Sequence, residues 1–265
     1  MYKSLYSYDK MPLHPIVESV GETDDWKREK ITFAAAYGNE RVISYLFLPK
    51  KWQPPFQAVV YFPGSGAIDI RSSATLSWDT SFFDFILKSG RAVLFPVYKG
   101  TFERGDDLKS DYPNTSSSWR DHVIAWSKDL GRSIDYLETR PEIDRSKLAY
   151  EGVSWGGAMG SVLPALEDRI KVCVLIVPGF NLQRSLPEVD ELNFAPRVKV
   201  PVLMLNGRFD FFYPPETSQE PMFRLLGTPK EHKRRVVYET GHNIPRNELI
   251  KETLDWLDRY LGPVK

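Results

Sequence analysis

The sequence has one cysteine, no excess of either charge and no long apolar run. Because Cys173 is alone among the 265 residues, an internal disulfide is excluded, and its place in the run VCVLIV predicts a side chain buried in a strand. Lys and Arg (35) balance Asp and Glu (35), so no overall charge attracts nucleic acid or anionic lipid. No window approaches the ~20 apolar residues of a membrane span, and the N-terminus lacks a signal-peptide pattern. We expect a soluble, cytoplasmic protein with no nucleic-acid or membrane partner.

The composition is that of a folded domain. Hydrophobic residues make up 42% of the chain and aromatic residues 13%, which suffices for one large core, and α/β folds of this length commonly form one unit. Residues 1–29 are polar and contain Pro12 and Pro15, so we interpret them as an N-terminal leader or edge segment. Residues 30–265 are expected to form a single domain.

The hydrophobic pattern predicts a mixed sheet. Alternating stretches at 30–37 and 41–49, separated by Gly38-Asn39-Glu40, predict an antiparallel hairpin. The β-rich runs that follow are apolar on both faces, as inner parallel strands are: AVVYF (58–62), AVLFP (92–96), KLAYE (147–151), VCVLIV (172–177), PVLML (201–205) and RVVYE (235–239). Helical patterns separate them, at 79–90, 121–140, from Trp155 onward, at about 219–226 and at 248–262. This alternation predicts an α/β fold with a mostly parallel twisted sheet of about eight strands and helices on both faces.

The run EGVSWGG (151–157) lies where a strand gives way to a helix. Its glycines lack the β-carbons that collide in a very tight turn, which leaves Ser154 at the tip. This is the G-x-S-x-G nucleophile elbow, which exposes a serine hydroxyl above the sheet at the N-terminus of a helix. The short pattern alone is weak evidence, since Gly- and Ser-rich connections are common. Its place after a strand favours the catalytic interpretation.

A serine hydroxyl needs a base to take its proton. Among the four histidines, His242 lies in YETGHNIP, in a loop after the last predicted strand and at the sheet edge that Ser154 also reaches. The other three lie in the leader, at a helix start and in a charged run: His14, His122 and His232. We predict His242 as the base; the alternative is a solvated loop histidine.

The base in turn needs an acid to orient it. Asp210 lies in a turn just beyond the buried run PVLML, although an aspartate in a turn often only caps its own backbone. Asp190 and Glu191, which follow the preceding strand, remain alternatives. The order Ser154, Asp210, His242 is the one expected when a nucleophile elbow precedes the acid and the histidine.

An oxyanion intermediate needs hydrogen-bond donors. The backbone N–H of Trp155 is one candidate, because it follows the nucleophile. The second is the N–H of Ser65 in the loop Pro63-Gly64-Ser65-Gly66, with Gly66 as second choice; Gly64 is expected to lie against the substrate. Each such donor usually contributes ~3 kcal/mol of transition-state stabilisation. An ordinary turn is the alternative interpretation of this loop.

Two long connections are expected at the same edge of the sheet. The first, 98–119, is interpreted as a partial lid that contains the substrate-binding residue Tyr98, and the second, 178–199, as an opposite wall; both are equally compatible with plain surface loops. Phe211, in the aromatic run beside Asp210, is expected to contribute to an acyl pocket; the alternative is that most of this run packs the turn against the sheet.

Four motifs resemble those of the α/β-hydrolase superfamily over roughly residues 30–262: YFPGSGA, YEGVSWGG, VPVLMLNGRFDFFYP and ETGHN. The chain is most similar to the branch of dienelactone hydrolases, acetyl esterases and prolyl oligopeptidases, and it resembles hydrolase domains fused to bacterial serine/threonine kinases. Two features depart from the pattern. Phe62-Pro63-Gly64 stands where many relatives carry His-Gly-Gly, and a serine stands where dienelactone hydrolases proper typically use cysteine.

The resemblance implies hydrolysis of small-molecule carboxylic esters, with short acyl groups, through a Ser-His-Asp triad and an acyl-enzyme. It implies no metal or organic cofactor. A serine peptidase of the prolyl oligopeptidase type and a non-catalytic interaction domain remain as alternatives. The sequence leaves the oligomeric state open, a homodimer included.

Overall fold

The computed structural model describes residues 2–264, apart from the side chains of Ser77 and Trp78. The strands in this part of the chain are β1 (Ile16–Glu22), β2 (Trp26–Ala34), β3 (Arg41–Pro49), β4 (Phe56–Phe62), β5 (Ala92–Val97), β6 (Ile143–Val153), β7 (Ile170–Ile176), β8 (Val202–Gly207) and β9 (Lys233–Tyr238). The α-helices are α1 (Lys3–Tyr6), α2 (Gly66–Asp69), α3 (Ser77–Lys88), α4 (Ser117–Glu138), α5 (Trp155–Met159), α6 (Glu191–Phe194), α7 (Glu220–Leu225) and α8 (Arg246–Leu261).

The strands form one nine-stranded sheet in the order β1-β2-β3-β5-β4-β6-β7-β8-β9. β1, β2, β3 and β5 pair antiparallel to one another in turn, and all later pairs are parallel. The predicted fold class and the predicted hairpin are confirmed, with nine strands in place of about eight. β1, within the segment interpreted as a leader or edge, forms one edge of the sheet, and the boundary predicted at residue 30 falls inside β2.

Alternate residues of the parallel strands enter two separate cores, as strand geometry requires. In β4, Phe62 packs on the side of α4 and α5, where its ring centroid lies 4.9 Å from that of Trp155. Its neighbour Tyr61 points to the opposite face and contacts Phe83 of α3, with centroids 5.2 Å apart. α8 covers this second face together with α3. Helices on both faces explain why these strands are apolar throughout.

Local capping decides where one predicted helix begins. The pattern predicts a start at residue 121, whereas α4 begins at Ser117. The hydroxyl of Ser116 accepts a hydrogen bond from the Trp119 N–H at 3.1 Å, which satisfies one of the free amides of the first turn. The predicted helix at Trp155 is short and ends at Met159.

Cys173 is fully buried in β7, and burial raises the pKa of its thiol well above the ordinary range. Within residues 2–264, every helix is too short or too polar to cross a membrane.

Candidate active site

The turn between β6 and α5 forces Ser154 into an unusual backbone conformation. Its φ is 54° and its ψ is −110°, a region that residues with a side chain rarely occupy and that is typical of functional turns. The neighbouring glycines make the turn sterically feasible. A β-carbon on Gly156 would lie 2.2 Å from the carbonyl oxygen of Phe62, and one on Gly152 would lie 2.1 Å from the Gly156 carbonyl oxygen.

Three side chains that are far apart in the chain form one hydrogen-bonded line. His242, in the loop between β9 and α8, has Nε2 2.7 Å from the Ser154 Oγ. Its Nδ1 lies 2.7 Å from the Asp210 Oδ2. In the tautomer that this arrangement favours, the Ser154 hydroxyl donates to Nε2 and the Nδ1–H donates to the carboxylate. The line supplies a hydroxyl, a proton acceptor and an orienting acid.

The backbone of its own turn fixes the Asp210 carboxylate. Asp210 is 2% exposed, and its Oδ1 accepts hydrogen bonds from the N–H groups of Phe212 at 3.0 Å and Tyr213 at 3.1 Å. Oδ2 is thereby directed to His242. One oxygen of the carboxylate therefore caps the turn, as turn aspartates often do, and the other contacts the histidine.

The alternative acids have other partners. Asp190 caps α6 by accepting from the Leu192 N–H at 2.9 Å, and Glu191 is buried, where its carboxylate accepts from both amide groups of Asn181. Of the three carboxylates considered from the sequence, Asp210 is the one in contact with His242.

The other histidines lie elsewhere. Nε2 of His122 is 3.1 Å from the Asp106 carboxylate on the flank of α4, and Nδ1 of His232 is 3.1 Å from the Tyr260 hydroxyl. His14 is in the N-terminal segment before β1. Of the four histidines, His242 is therefore the one in contact with Ser154.

The loop after β4 lies beside the elbow. The Gly156 N–H donates to the Pro63 carbonyl at 3.1 Å, which ties this loop to the first turn of α5. Gly64, Ser65 and Gly66 line the same cavity as Ser154. Trp155 is the first residue of α5; its ring is fully buried and is not among the residues that line the cavity.

A cavity of ≈ 670 Å³ opens beside Ser154 and His242. Its walls come from the loop after β4, α3, the long connection before α4, the ends of β6 and β7, the Asp210 turn and the start of α8. The lining residues are Gly64, Ser65, Gly66, Ala67, Ile70, Asp79, Ser81, Phe82, Asp111, Tyr112, Val153, Ser154, Ile176, Val177, Phe212, Tyr213, His242, Asn243, Ile244, Arg246 and Leu249. The connection 98–119 thus contributes Asp111 and Tyr112, whereas 178–199 contributes none of the lining residues.

Two of the predicted substrate contacts lie outside this cavity. Tyr98 is fully buried and its ring stacks on Phe62 at 4.0 Å between centroids, because this end of β5 continues into the core. Phe211 is 75% exposed and stacks on Phe212 at 4.0 Å. Phe212 lines the cavity, with its ring 4.8 Å from that of His242. The third predicted contact, Gly64, does line the cavity.

Two acidic side chains of the cavity, Asp79 and Asp111, were not predicted. Burial raises the pKa of Asp79 to about 6, against the opposing effect of a hydrogen bond from Tyr61. Burial also raises the pKa of Asp111, against the attraction of nearby His242. The spacing along α3 does indicate an inward-facing Asp79, because it lies four residues before Phe83 and seven before Ile86, on the apolar stripe of the helix.

The mostly parallel sheet, the serine at a strained strand-to-helix turn and the histidine after the last strand are the features of the α/β-hydrolase fold. The chain has this fold. Among solved structures, it superimposes on a cold-adapted esterase from an Arctic intertidal metagenomic library with a TM-score of 0.72 and 18% identity, covering 95% of this chain and 100% of that one.

No family model matches the sequence. YtaP, a protein of Bacillus subtilis named as a hydrolase, is 27% identical over 146 residues, which are 52% of this chain and 48% of that relative. The acetyl esterase Axe7A of Xylanibacter ruminicola is 31% identical over 126 residues, which are 38% of this chain and 28% of that protein. The matched parts therefore span less than half of either relative.

Proposed function

We propose that this protein is a serine carboxylesterase that cleaves small esters through Ser154, His242 and Asp210. The observation that carries the proposal is the hydrogen-bonded line from the Asp210 Oδ2 through His242 to the Ser154 Oγ, with 2.7 Å at each contact. The strained backbone of Ser154 and its place at the wall of a cavity support the same assignment. The names of the acetyl esterase relative and of the structurally similar esterase agree with it.

In the proposed reaction Ser154 attacks the ester carbonyl while His242 takes the hydroxyl proton through Nε2. Asp210 stabilises the imidazolium that forms, and its buried position strengthens this interaction because little water competes for it. His242 then donates the proton to the leaving alcohol. Water activated by the same imidazole releases the acyl group from the serine.

The donors for the oxyanion are proposed to be the backbone N–H groups of Trp155 and Ser65. Trp155 begins α5, so its amide is one of the N-terminal groups that have no partner within the helix. Ser65 lines the cavity beside Ser154. The hydrogen bond from Gly156 to Pro63 holds the two donor-bearing segments against each other, as preorganised charge stabilisation requires.

We propose that the acyl groups are short, because the cavity of ≈ 670 Å³ has to hold both the acyl and the alcohol part of the ester. Phe212 and Ile244 are among its apolar lining residues. The names of the acetyl esterase relative and of the structurally similar esterase are compatible with such substrates. Initial rates on p-nitrophenyl esters of graded acyl length test this size limit.

Covalent labelling tests the nucleophile. Incubation with an organophosphate probe, followed by peptide mass spectrometry, is expected to give one adduct on Ser154. Ser154→Ala is expected to lose the adduct, while Ser146→Ala, which changes an exposed serine of the same strand, keeps it. Absence of an adduct from folded wild-type protein contradicts the proposal and favours a non-catalytic domain.

The same preparation distinguishes an esterase from a peptidase. The proposed function predicts turnover of p-nitrophenyl acetate and none of proline-containing p-nitroanilide peptides. Cleavage of the peptides at a comparable kcat/KM contradicts the esterase assignment.

A further inference from the structure

An acidic side chain lies in the wall of an otherwise mainly apolar part of the cavity. Asp79, near the start of α3, lines the cavity that contains Ser154 and His242 and is itself only 7% exposed. Apolar side chains line the same cavity, among them Phe82 from the same helix and Leu249 from α8. A carboxylate in such a place loses most of its hydration and needs polar partners.

The side chain that donates a hydrogen bond to Asp79 is uncharged. The Tyr61 hydroxyl donates to its Oδ1 at 3.2 Å, and among the residues that the structure describes no cation forms an ion pair with it. Burial raises its pKa to about 6, so that it still carries a charge at neutral pH. The Tyr61 hydroxyl and the backbone N–H of Asp79 itself both lower this pKa against the effect of burial. Two donors leave acceptor capacity unused, because a carboxylate has about four lone-pair sites.

Arg246, the cation of the cavity wall, pairs with groups other than Asp79. Arg246, at the start of α8, donates to the Ser81 carbonyl and to the Asp84 carboxylate, and its guanidinium lies over the Phe85 ring at 5.1 Å. It therefore holds α8 to α3 and leaves Asp79 without a counter-charge.

A second buried carboxyl group lies beside Tyr61 in the sheet. Glu151 is the register partner of Tyr61 in the neighbouring strand β6. It is fully buried, and neither of its carboxyl oxygens has a hydrogen-bond partner among the described residues. Burial raises its pKa well above the ordinary range, so it adds little negative charge. Of the two acidic side chains that line the cavity, Asp79 is buried and Asp111 is half-buried, so Asp79 is the one that has lost more of its hydration.

We infer that Asp79 is a specificity residue of the proposed esterase and accepts a hydrogen bond from a hydroxyl or ammonium group on the substrate, so that the site prefers esters bearing such a donor. The inference rests on the proposed function. It adds a polar contact with the substrate besides those proposed for the ester carbonyl. The hydroxyl or ammonium group of the substrate replaces water that the carboxylate lost on folding. A substrate without such a group leaves the carboxylate unsatisfied.

Matched pairs of esters test the inference and locate the donor. In the acyl series, p-nitrophenyl 3-hydroxybutyrate is compared with p-nitrophenyl 3-methylbutyrate, which replaces the hydroxyl by a methyl group of similar size. In the alcohol series, 2-hydroxyethyl butyrate is compared with propyl butyrate by titration of the released acid. For wild type, the hydroxylated member of one series is expected to have a kcat/KM at least about tenfold higher, as a hydrogen bond to a charged group provides.

Two substitutions at Asp79 connect the preference to this residue. Asp79→Leu is expected to reduce the preference to about onefold, and Asp79→Asn, which keeps the shape and one acceptor, to give an intermediate value. Asp79→Asn also serves if the leucine variant does not fold. Asp255→Asn, which removes an exposed carboxylate of α8, controls for net charge and is expected to keep the wild-type preference.

Three outcomes overturn the inference. One is a wild-type preference near onefold in both series; another is a preference that both Asp79 variants retain. In these two cases the plain esters are still cleaved, so the proposed function stands. The third is a wild-type protein that cleaves none of the four esters, which overturns the proposed function and the inference with it.

Discussion

Asp210→Asn is the substitution that examines the candidate site most directly. Oδ1 of Asp210 accepts from two backbone N–H groups, and Oδ2 contacts the Nδ1 of His242 at 2.7 Å. The asparagine carbonyl is expected to keep the two backbone donors, since an NH₂ group placed there would face them. Its NH₂ group then faces Nδ1 and forces the imidazole proton to Nε2. In that tautomer His242 is unable to accept the proton of Ser154.

The expected loss follows from the wrong tautomer and from the missing charge beside the imidazolium. Substitution of this kind in a serine protease triad lowers kcat about 10⁴-fold, which corresponds to about 5.5 kcal/mol at 1.36 kcal/mol per factor of ten. We expect a loss of this order in kcat for p-nitrophenyl acetate, with a KM changed by less than about threefold, because the acid touches no part of the substrate.

A matched control separates Asp210 from Asp190, one of the two alternative acids. Asp190→Asn removes an equal charge at the N-cap of α6 and is expected to keep kcat within about twofold of wild type, with a small loss of stability from the weakened cap. Fast hydrolysis by Asp210→Asn, or a large loss in Asp190→Asn, would refute the assignment of the acid.

Three further substitutions probe other parts of the site. His242→Ala is expected to abolish esterase turnover but to shift Tm by less than about 4 °C, because the side chain lies on an accessible loop; a large shift would mean that the histidine is structural. Gly156→Ala is expected to lower the free energy of unfolding by about 1–3 kcal/mol or more, measured by urea titration, because its β-carbon would lie 2.2 Å from the Phe62 carbonyl oxygen. Gly66→Ala is the control: no atom lies within 4 Å of its new β-carbon, so the loss of stability should be far smaller. Burial raises the pKa of Asp79 from 3.8 to about 6 in the folded state, where the Tyr61 hydroxyl donates to it. Between these two pH values the folded state therefore binds more protons than the unfolded state. The free energy of unfolding of the wild type is expected to fall as pH rises from about 4 to about 6, by up to about 3 kcal/mol. Asp79→Asn does not titrate and should gain stability over wild type by that amount between pH 4 and pH 8; a difference independent of pH would contradict the raised pKa.

Much of the fold could be predicted because each signal is local. The parallel strands appear as runs that are apolar on both faces, and the glycines around Ser154 mark a turn too tight for β-carbons. Helix ends were less predictable: α4 begins four residues before the predicted start, because a single serine hydroxyl caps it. The assignment of the individual catalytic residues remains a proposal, as does the division of the chain at residue 30.

Contacts of aromatic residues could not be predicted in the same way. Tyr98 and Phe211 both looked suitable for contacting a substrate, yet one is buried against Phe62 and the other is exposed on the surface. Side-chain direction in such loops depends on which neighbouring segment packs against them. The hydrophobicity of the residues themselves carries no such information.

By itself the sequence determined the class of the sheet, the place of the serine at the end of a strand and the short set of histidines and acids that could serve it. Tertiary structure alone decided which of these meet, since residues separated by 88 and 32 positions come within 2.7 Å only when β6, β8 and β9 lie side by side. It also decided that a carboxylate on the apolar stripe of α3 faces a cavity. Hydrophobic periodicity is a property of neighbours along the chain, whereas a site depends on distances between segments that the folded core holds together.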